Sequence, residues 1–136
     1  MTDEYLSSVR CRFADDLYAT EATAITIEEA GEGFAECRMK IQRVHQNAMG
    51  GVMGGAIFTL CDFAFAVASN GIDRPLTTTL STSVSFSSQP KGATLIARAK
   101  CLKDGGSTCL YEVTVKDERE TLVAVATFNG YKLRAH

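Results

Sequence analysis

Histidine is nearly missing from this chain: His45 and His136 are the only two, and the second is the last residue. The five cysteines, Cys11, Cys37, Cys61, Cys101 and Cys109, form no Cys-x-x-Cys pair and have no histidine at metal spacing. No metal site is therefore expected, and a nucleophilic cysteine would lack its basic partner. The cysteines read as reduced core thiols. An excess of either charge is missing too, since 14 basic residues face 16 acidic ones for a net charge of -2. That balance speaks against nucleic acid or an anionic membrane as partner. No stretch approaches the ~20 apolar residues of a membrane span, and MTDEYLSSVR places acids where a signal peptide would place basic and apolar residues. A cytoplasmic location is expected. There is no internal repeat, no linker, no Walker loop and no dinucleotide fingerprint. At 136 residues, 46% apolar and 22% charged, the chain is expected to form one domain over 1–136 with one core.

The order of elements is legible from periodicity. Tyr5, Val9, Phe13 and Leu17, spaced by four, predict a short amphipathic helix over 3–18. Segments 22–29 and 34–41 predict two strands joined by a turn over Gly31–Gly33. After Gly71 the pattern alternates, predicting strands at 77–87, 94–102, 108–116 and 121–133 in a mostly antiparallel sheet. Between the two groups, GGAIFTLCDFAFAVASNG at 54–71 is apolar almost all round and ends at a good C-cap, Asn70-Gly71. A helix apolar on every side should be buried on every side, and at about 1.5 Å per residue it would cross a small domain. The expected fold class is α+β, with a curved sheet of five to six strands wrapped around one long central helix.

Asp62 is the one ordinary charged side chain between Gln46 and Ile72, in the middle of that helix. Removing a carboxylate from water is costly or raises its pKa, so an unpaired structural role is poorly motivated. One reading is a buried aspartate satisfied by Thr59, Ser69 or backbone N–H groups. The other is a base or nucleophile beside a pocket. Upstream, His45 to Gly55 is a glycine-rich loop feeding a helix N-terminus, whose unpaired N–H groups favour negative charge. There the Gly54 N–H is placed to hold an oxyanion, unless Gly54 and Gly55 serve only tight packing.

The pattern H-x-N-x-x-G-x-x-x-G-G followed by L-x-D, with EGFAECRMKI and GGAIFTLCDFAFAVASN around it, resembles the hot-dog thioesterases of the phenylacetate-degradation (PaaI-like) type. The resemblance covers about 13–71 closely and the strand-rich remainder more loosely. It implies a hot-dog fold and an acyl-CoA thioesterase whose substrate is a coenzyme A thioester and which uses no cofactor. It further implies Asp62 as general base or nucleophile, the Gly54 N–H polarising the thioester carbonyl, and Asn47 orienting water or thioester. Thr79 falls near a position where relatives keep an assisting serine or threonine, with Thr78 or Ser81 as alternative registers. One departure stands out, because Met53 occupies the place of the histidine that usually precedes Gly-Gly. With Gly55 and Ser81, Met53 and His45 are expected to contact the substrate; for His45 the other readings are a hydrogen bond to the loop around Asn47 or a purely structural role, the commoner one for a lone histidine.

Gly54 and Asp62 are eight residues apart, about 12 Å along a helix, so one subunit cannot easily bring both to one carbonyl. A site combining Asp62 of one chain with Asn47 and Gly54 of another removes the difficulty. The resemblance likewise implies a homodimer with two composite sites, often paired into a tetramer. The Ser/Thr-rich strand at 77–88 either lines a substrate tunnel or faces solvent; in a tunnel, Phe58, Phe63, Phe65 or Phe86 would pack on the acyl group. Lys91, Arg98, Lys100 and Lys103 are available for nucleotide phosphates without forming a motif. Two other functions compete: a non-catalytic acyl-CoA-binding or sensing protein, favoured by Met53, and a hydratase, which would want a histidine near Asp62.

Overall fold

The computed structural model describes residues 2–72 and 75–133; His136 lies outside them. Its elements are α1 (Asp3–Arg12), β1 (Ile25–Gly31), β2 (Phe34–Lys40), α2 (Gly54–Ser69), β3 (Thr77–Phe86), β4 (Thr94–Asp104), β5 (Thr108–Asp117) and β6 (Leu122–Lys132). The strands form one six-stranded sheet in the order β1-β2-β4-β5-β6-β3, with every neighbouring pair antiparallel. Alternation explains the strands: Cys109, Tyr111, Val113 and Val115 of β5 are buried towards α2, while Leu110, Glu112, Thr114 and Lys116 point the other way. The β1–β2 hairpin turns at Gly33, whose φ of +71° glycine adopts without strain.

The central helix and strands 3 to 6 lie within a few residues of their expected limits. Two expectations fail. The N-terminal helix stops at Arg12, and Leu17 is exposed rather than on a buried face. Phe13 leaves the helix to set its ring edge-on against Phe63 at 5.8 Å, and the chain continues into a π-helical turn, Tyr18–Ala22. Within one chain α2 is also not covered all round. Ile57, Leu60, Cys61, Ala64 and Val67 face the sheet, whereas Gly55 and Asp62 are exposed and Thr59 and Ala66 half-buried along one stripe.

Phe65 anchors the covered side, stacked on Phe128 at 4.6 Å and edge-on to Tyr111 at 5.2 Å, with Phe58 stacking on Phe128 from about two turns earlier. Phe63 and Phe65 thus belong to the core, and half-buried Phe58 packs against it. Cys37, Cys61 and Cys109 are buried and Cys101 partly so, but Cys11 is exposed, against the expectation of a core thiol. Burial pushes the Cys37 and Cys61 thiols up to about 12, which leaves both protonated and unreactive at neutral pH.

A buried carboxylate fixes the far end of the sheet. Asp117 accepts four backbone hydrogen bonds, from Lys91 and Gly92 on Oδ2 and from Arg119 and Thr121 on Oδ1, all 2.8–2.9 Å. Burial alone would raise its pKa, but the four N–H donors outweigh it and hold the carboxyl well below the usual range. Glu118 continues the clamp by accepting from Ala93 and Thr94. Because the folded-state pKa is depressed, the stabilisation is present above the unfolded value of about 3.9 and is lost as pH falls through the folded one. Asp117→Asn should therefore lower Tm by several degrees at neutral pH, with the gap to wild type closing in acid, as calorimetry at a series of pH values will read.

Candidate active site

The loop entering α2 is tightly built. Gln46 and Val52 form a bridge, the Asn47 N–H donates to the Gly51 carbonyl at 2.8 Å, and Gly50 turns the chain at φ +86°. Asn47 Oδ1 accepts from the Met49 and Gly51 N–H groups at 2.9 and 3.1 Å. The side-chain oxygen of Asn47, the residue expected to orient water or thioester, thus shapes the loop. His45 is buried, with Nδ1 accepting from the Gln42 N–H at 2.9 Å and Nε2 2.8 Å from the Thr23 carbonyl. This pairing makes Nε2 the donor in a neutral ring, and it differs from the expected bond to the Asn47 loop. Neither ring nitrogen is left for a substrate.

Met53 caps α2 and is itself held by its N–H on the His45 carbonyl at 2.8 Å. Its carbonyl takes the Ala56 and Ile57 N–H groups, so among the described residues the Gly54 and Gly55 N–H groups find no acceptor. They are the donors of a helix N-terminus that an anion would satisfy. Space is available around them. A Cβ on Gly55 would meet nothing within 4 Å, and one on Gly54 would only touch the Phe86 ring at 3.5 Å. Two clefts flank this end of the helix. One, of about 390 Å³, brings together Asn47, Gly54, Phe86 and Gln89; the other, of about 370 Å³, brings together His45, Met53 and Gly55 with Tyr18 and Val44.

Asp62 lines neither cleft. It stands two turns along α2 on the open stripe, and Thr59 and Ser69 do not satisfy it, since their hydroxyls donate to the Gly55 and Phe65 carbonyls at 2.8 Å. The residue is exposed in a single chain, yet enough protein crowds its carboxyl that burial raises its pKa, and the charge of Asp16 raises it further. Sequence reasoning missed Asp16. It lies in the segment that Phe13 pins to α2, and Thr20 holds its carbonyl through both N–H and hydroxyl at 3.0 Å.

The three candidate hydroxyls of β3 separate by face. Thr79 pairs with buried Gly130 and so shares the side turned to α2, whereas Ser81 pairs with Asn129 and Thr78 with Tyr131 on the outer side. Ser81 Oγ accepts from the Asn129 amide at 3.3 Å, directed away from the helix. A bulge at Leu80 causes the switch. The strand is thus neither wholly tunnel nor wholly solvent face. Of the basic candidates, Arg98 and Lys100 lie on the outer face against Glu36 and Glu112, and Lys91 and Lys103 are exposed. Among the described residues no three His, Cys, Asp or Glu side chains gather as metal ligands, and no helix is long and apolar enough to cross a membrane.

A model of the thioesterase superfamily matches residues 49–124, more than half of the chain. A protein of Archaeoglobus fulgidus named "Putative esterase" is 34% identical over 108 residues, which are 79% of this chain and 70% of the relative. Among solved structures, the E. coli PaaI protein from the phenylacetic acid degradation operon shares the fold, with a TM-score of 0.83 at 24% identity over 96% of this chain and 97% of its own. A Streptococcus mutans protein solved with acetyl-CoA bound is 27% identical, with a TM-score of 0.75 over 80% of this chain and 88% of its own.

The Asp62 carboxyl should titrate above its ordinary value of about 3.9 when followed by carbon NMR. Asp16→Asn should bring that titration down, and an unchanged midpoint would show that Asp16 exerts no influence. A raised folded-state pKa means that the folded chain binds more protons between the two values. Asp62 therefore costs stability as pH rises through that window.

Proposed function

This chain belongs to the thioesterase superfamily and is a hot-dog thioesterase, and we propose that it hydrolyses a fatty or aryl acyl-CoA with Asp62 as the catalytic carboxylate. One observation carries the assignment of residues: a single carboxylate, desolvated and raised in pKa, on the open stripe of a helix whose N-terminal Gly54 N–H has no acceptor among the described residues. A base whose pKa is lifted towards neutrality takes a proton more readily from water. Water attacks the thioester carbonyl carbon and gives its proton to Asp62. The carbonyl oxygen becomes an oxyanion against the Gly54 N–H, the C–S bond breaks, and the proton returns from Asp62 to the CoA thiolate. In the alternative course the Asp62 carboxylate attacks the carbonyl carbon, the C–S bond breaks to release CoA thiolate, and water opens the resulting mixed anhydride, giving the free acid, the restored carboxylate and a proton for the thiolate. Thr79, on the helix-facing side of β3, is assigned to assist the water. No cofactor is invoked.

The same reading takes the active species as a dimer. Asp62 and Gly54 lie about 12 Å apart on one helix, which supports a site shared between chains. The sheet has two edges of different character. On β1, Arg10 donates twice to the Ile27 carbonyl, at 2.9 and 2.7 Å, beside a bulge at Glu28, and this blunts the edge. Among the described residues nothing covers the ten-residue β3 edge in this way, and Leu80 and Phe86 stand more than half exposed along it. Pairing of β3 with its copy about a two-fold axis would set the open stripes of two α2 helices over one continuous sheet.

A specific observation favours the second reading, an acyl-CoA-binding protein. Met53 puts a flexible apolar side chain, 57% exposed, where the family pattern has a histidine.

A thiol-trapping assay over short, medium, long and aryl acyl-CoAs should show CoA release that Asp62→Asn lowers by at least about 100-fold, the lower end of the usual loss when a general base is removed. Equal inertness of both proteins with acyl-CoA binding intact would decide for the binding protein. Mixing Asp62→Asn chains with Asn47→Ala chains, inactive because loss of Asn47 releases the loop that sets the Gly54 N–H, should after joint refolding restore roughly a quarter of wild-type activity, because half the dimers are mixed and each holds one intact composite site. No recovery, with exchange shown by light scattering and mass spectrometry, would place each site within one chain.

A further inference from the structure

The geometry points to Gln89 as a positioning residue that holds the Gly54 N–H donor in place from the opposite side of the cleft. This rests on the reading of Gly54 as oxyanion donor. Gln89 Oε1 accepts from the Val52 N–H at 2.9 Å, and its Nε2 lies 3.5 Å from the Val52 carbonyl. One amide side chain thereby grips both polar groups of a residue 37 positions away in sequence and two before Gly54. Contact is close enough that a Cβ on Gly51 would come within 3.1 Å of the Gln89 amide.

Gln89 is an effective strut because its own loop is fixed at both ends. On one side the Ser87 N–H donates to the Val123 carbonyl and the Ser88 hydroxyl to the Leu122 carbonyl, at 2.8 and 2.7 Å. On the other, Asp117 and Glu118 hold the backbone from Lys91 to Thr94. Val52 receives this support between its bridge to Gln46 and the Met53–His45 hydrogen bond. The first free N–H of α2 is thereby referred to the sheet through side chains, and an oxyanion donor needs such placement before the charge develops. Gln89 does not touch the reacting atoms in this assignment; it acts through Val52.

Gln89→Leu removes both contacts at similar volume, and Gln89→Glu keeps the acceptor on the Val52 N–H. In Gln89→Leu the Val52 amide should lose hydrogen-exchange protection and the Gly54 amide resonance should move, while Tm falls only by the few degrees that one unpaired buried N–H costs. With the best substrate of the acyl-CoA panel, kcat should fall on the order of ten-fold with KM little changed, as misplacement of a transition-state donor predicts. Gln89→Glu should retain most of the wild-type kcat. Wild-type turnover in Gln89→Leu, unmoved Val52 and Gly54 amides, or equal damage in both variants would overturn the assignment. If Asp62→Asn turns over like wild type, the catalytic reading of Asp62 fails separately, and the amide and kcat readouts still judge Gln89.

Discussion

A sixteen-residue helix carrying one charge has two sides to cover, and the chain supplies one sheet. The rest of the molecule is arranged around that shortage. Phe65, seated between Phe128 and Tyr111, ties one side of α2 to the sheet, where burying an aromatic side chain contributes about 1.5–3 kcal/mol. The stripe of Gly55, Thr59, Asp62 and Ala66 is left outward. A carboxylate placed on it is neither fully hydrated nor paired, and that intermediate state raises its pKa.

Much of this was legible in the sequence, for identifiable reasons. Strands 4 to 6 alternate over most of their length because one face of the sheet is buried and the other wet, and Asp62 stood out because its helix holds no other charge. The N-terminal helix was overextended because four apolar residues spaced by four look the same whether the last two continue the helix or, like Phe13, leave it to pack elsewhere. Full burial of α2 was misread for a related cause: an apolar surface shows that cover is wanted, not which chain provides it. Gln89, Asp16 and Asp117 were illegible in their roles. A turn signal such as Gln89-Pro90-Lys91-Gly92 reports where the backbone bends and is silent on which side chain reaches across to another loop.

His45 and Asn47 show how a recognisable pattern can serve architecture. Both ring nitrogens of His45 and the side-chain oxygen of Asn47 satisfy backbone groups that the tight turn would otherwise leave unpaired. Each such bond contributes only about 0.5–1.5 kcal/mol net, whereas leaving a buried partner unsatisfied costs about 1–3. The loop is therefore rigid more through what it avoids than through what it gains. Met53 alters the wall of the adjoining cleft without disturbing this scaffold, since its structural contacts run through its backbone N–H and carbonyl.

The Arg10 guanidinium over the Ile27 carbonyl bears on how this protein behaves in a crowded solution. A sheet that can add strands at both borders can grow into a fibre, each new copy offering the next a fresh template. Here one border is shut by a side chain from the preceding helix, and the two-fold pairing proposed for the other would use up the template that β3 offers. Growth would then end at two copies, and a contact made by a short N-terminal helix would guard the whole population against endless polymerisation.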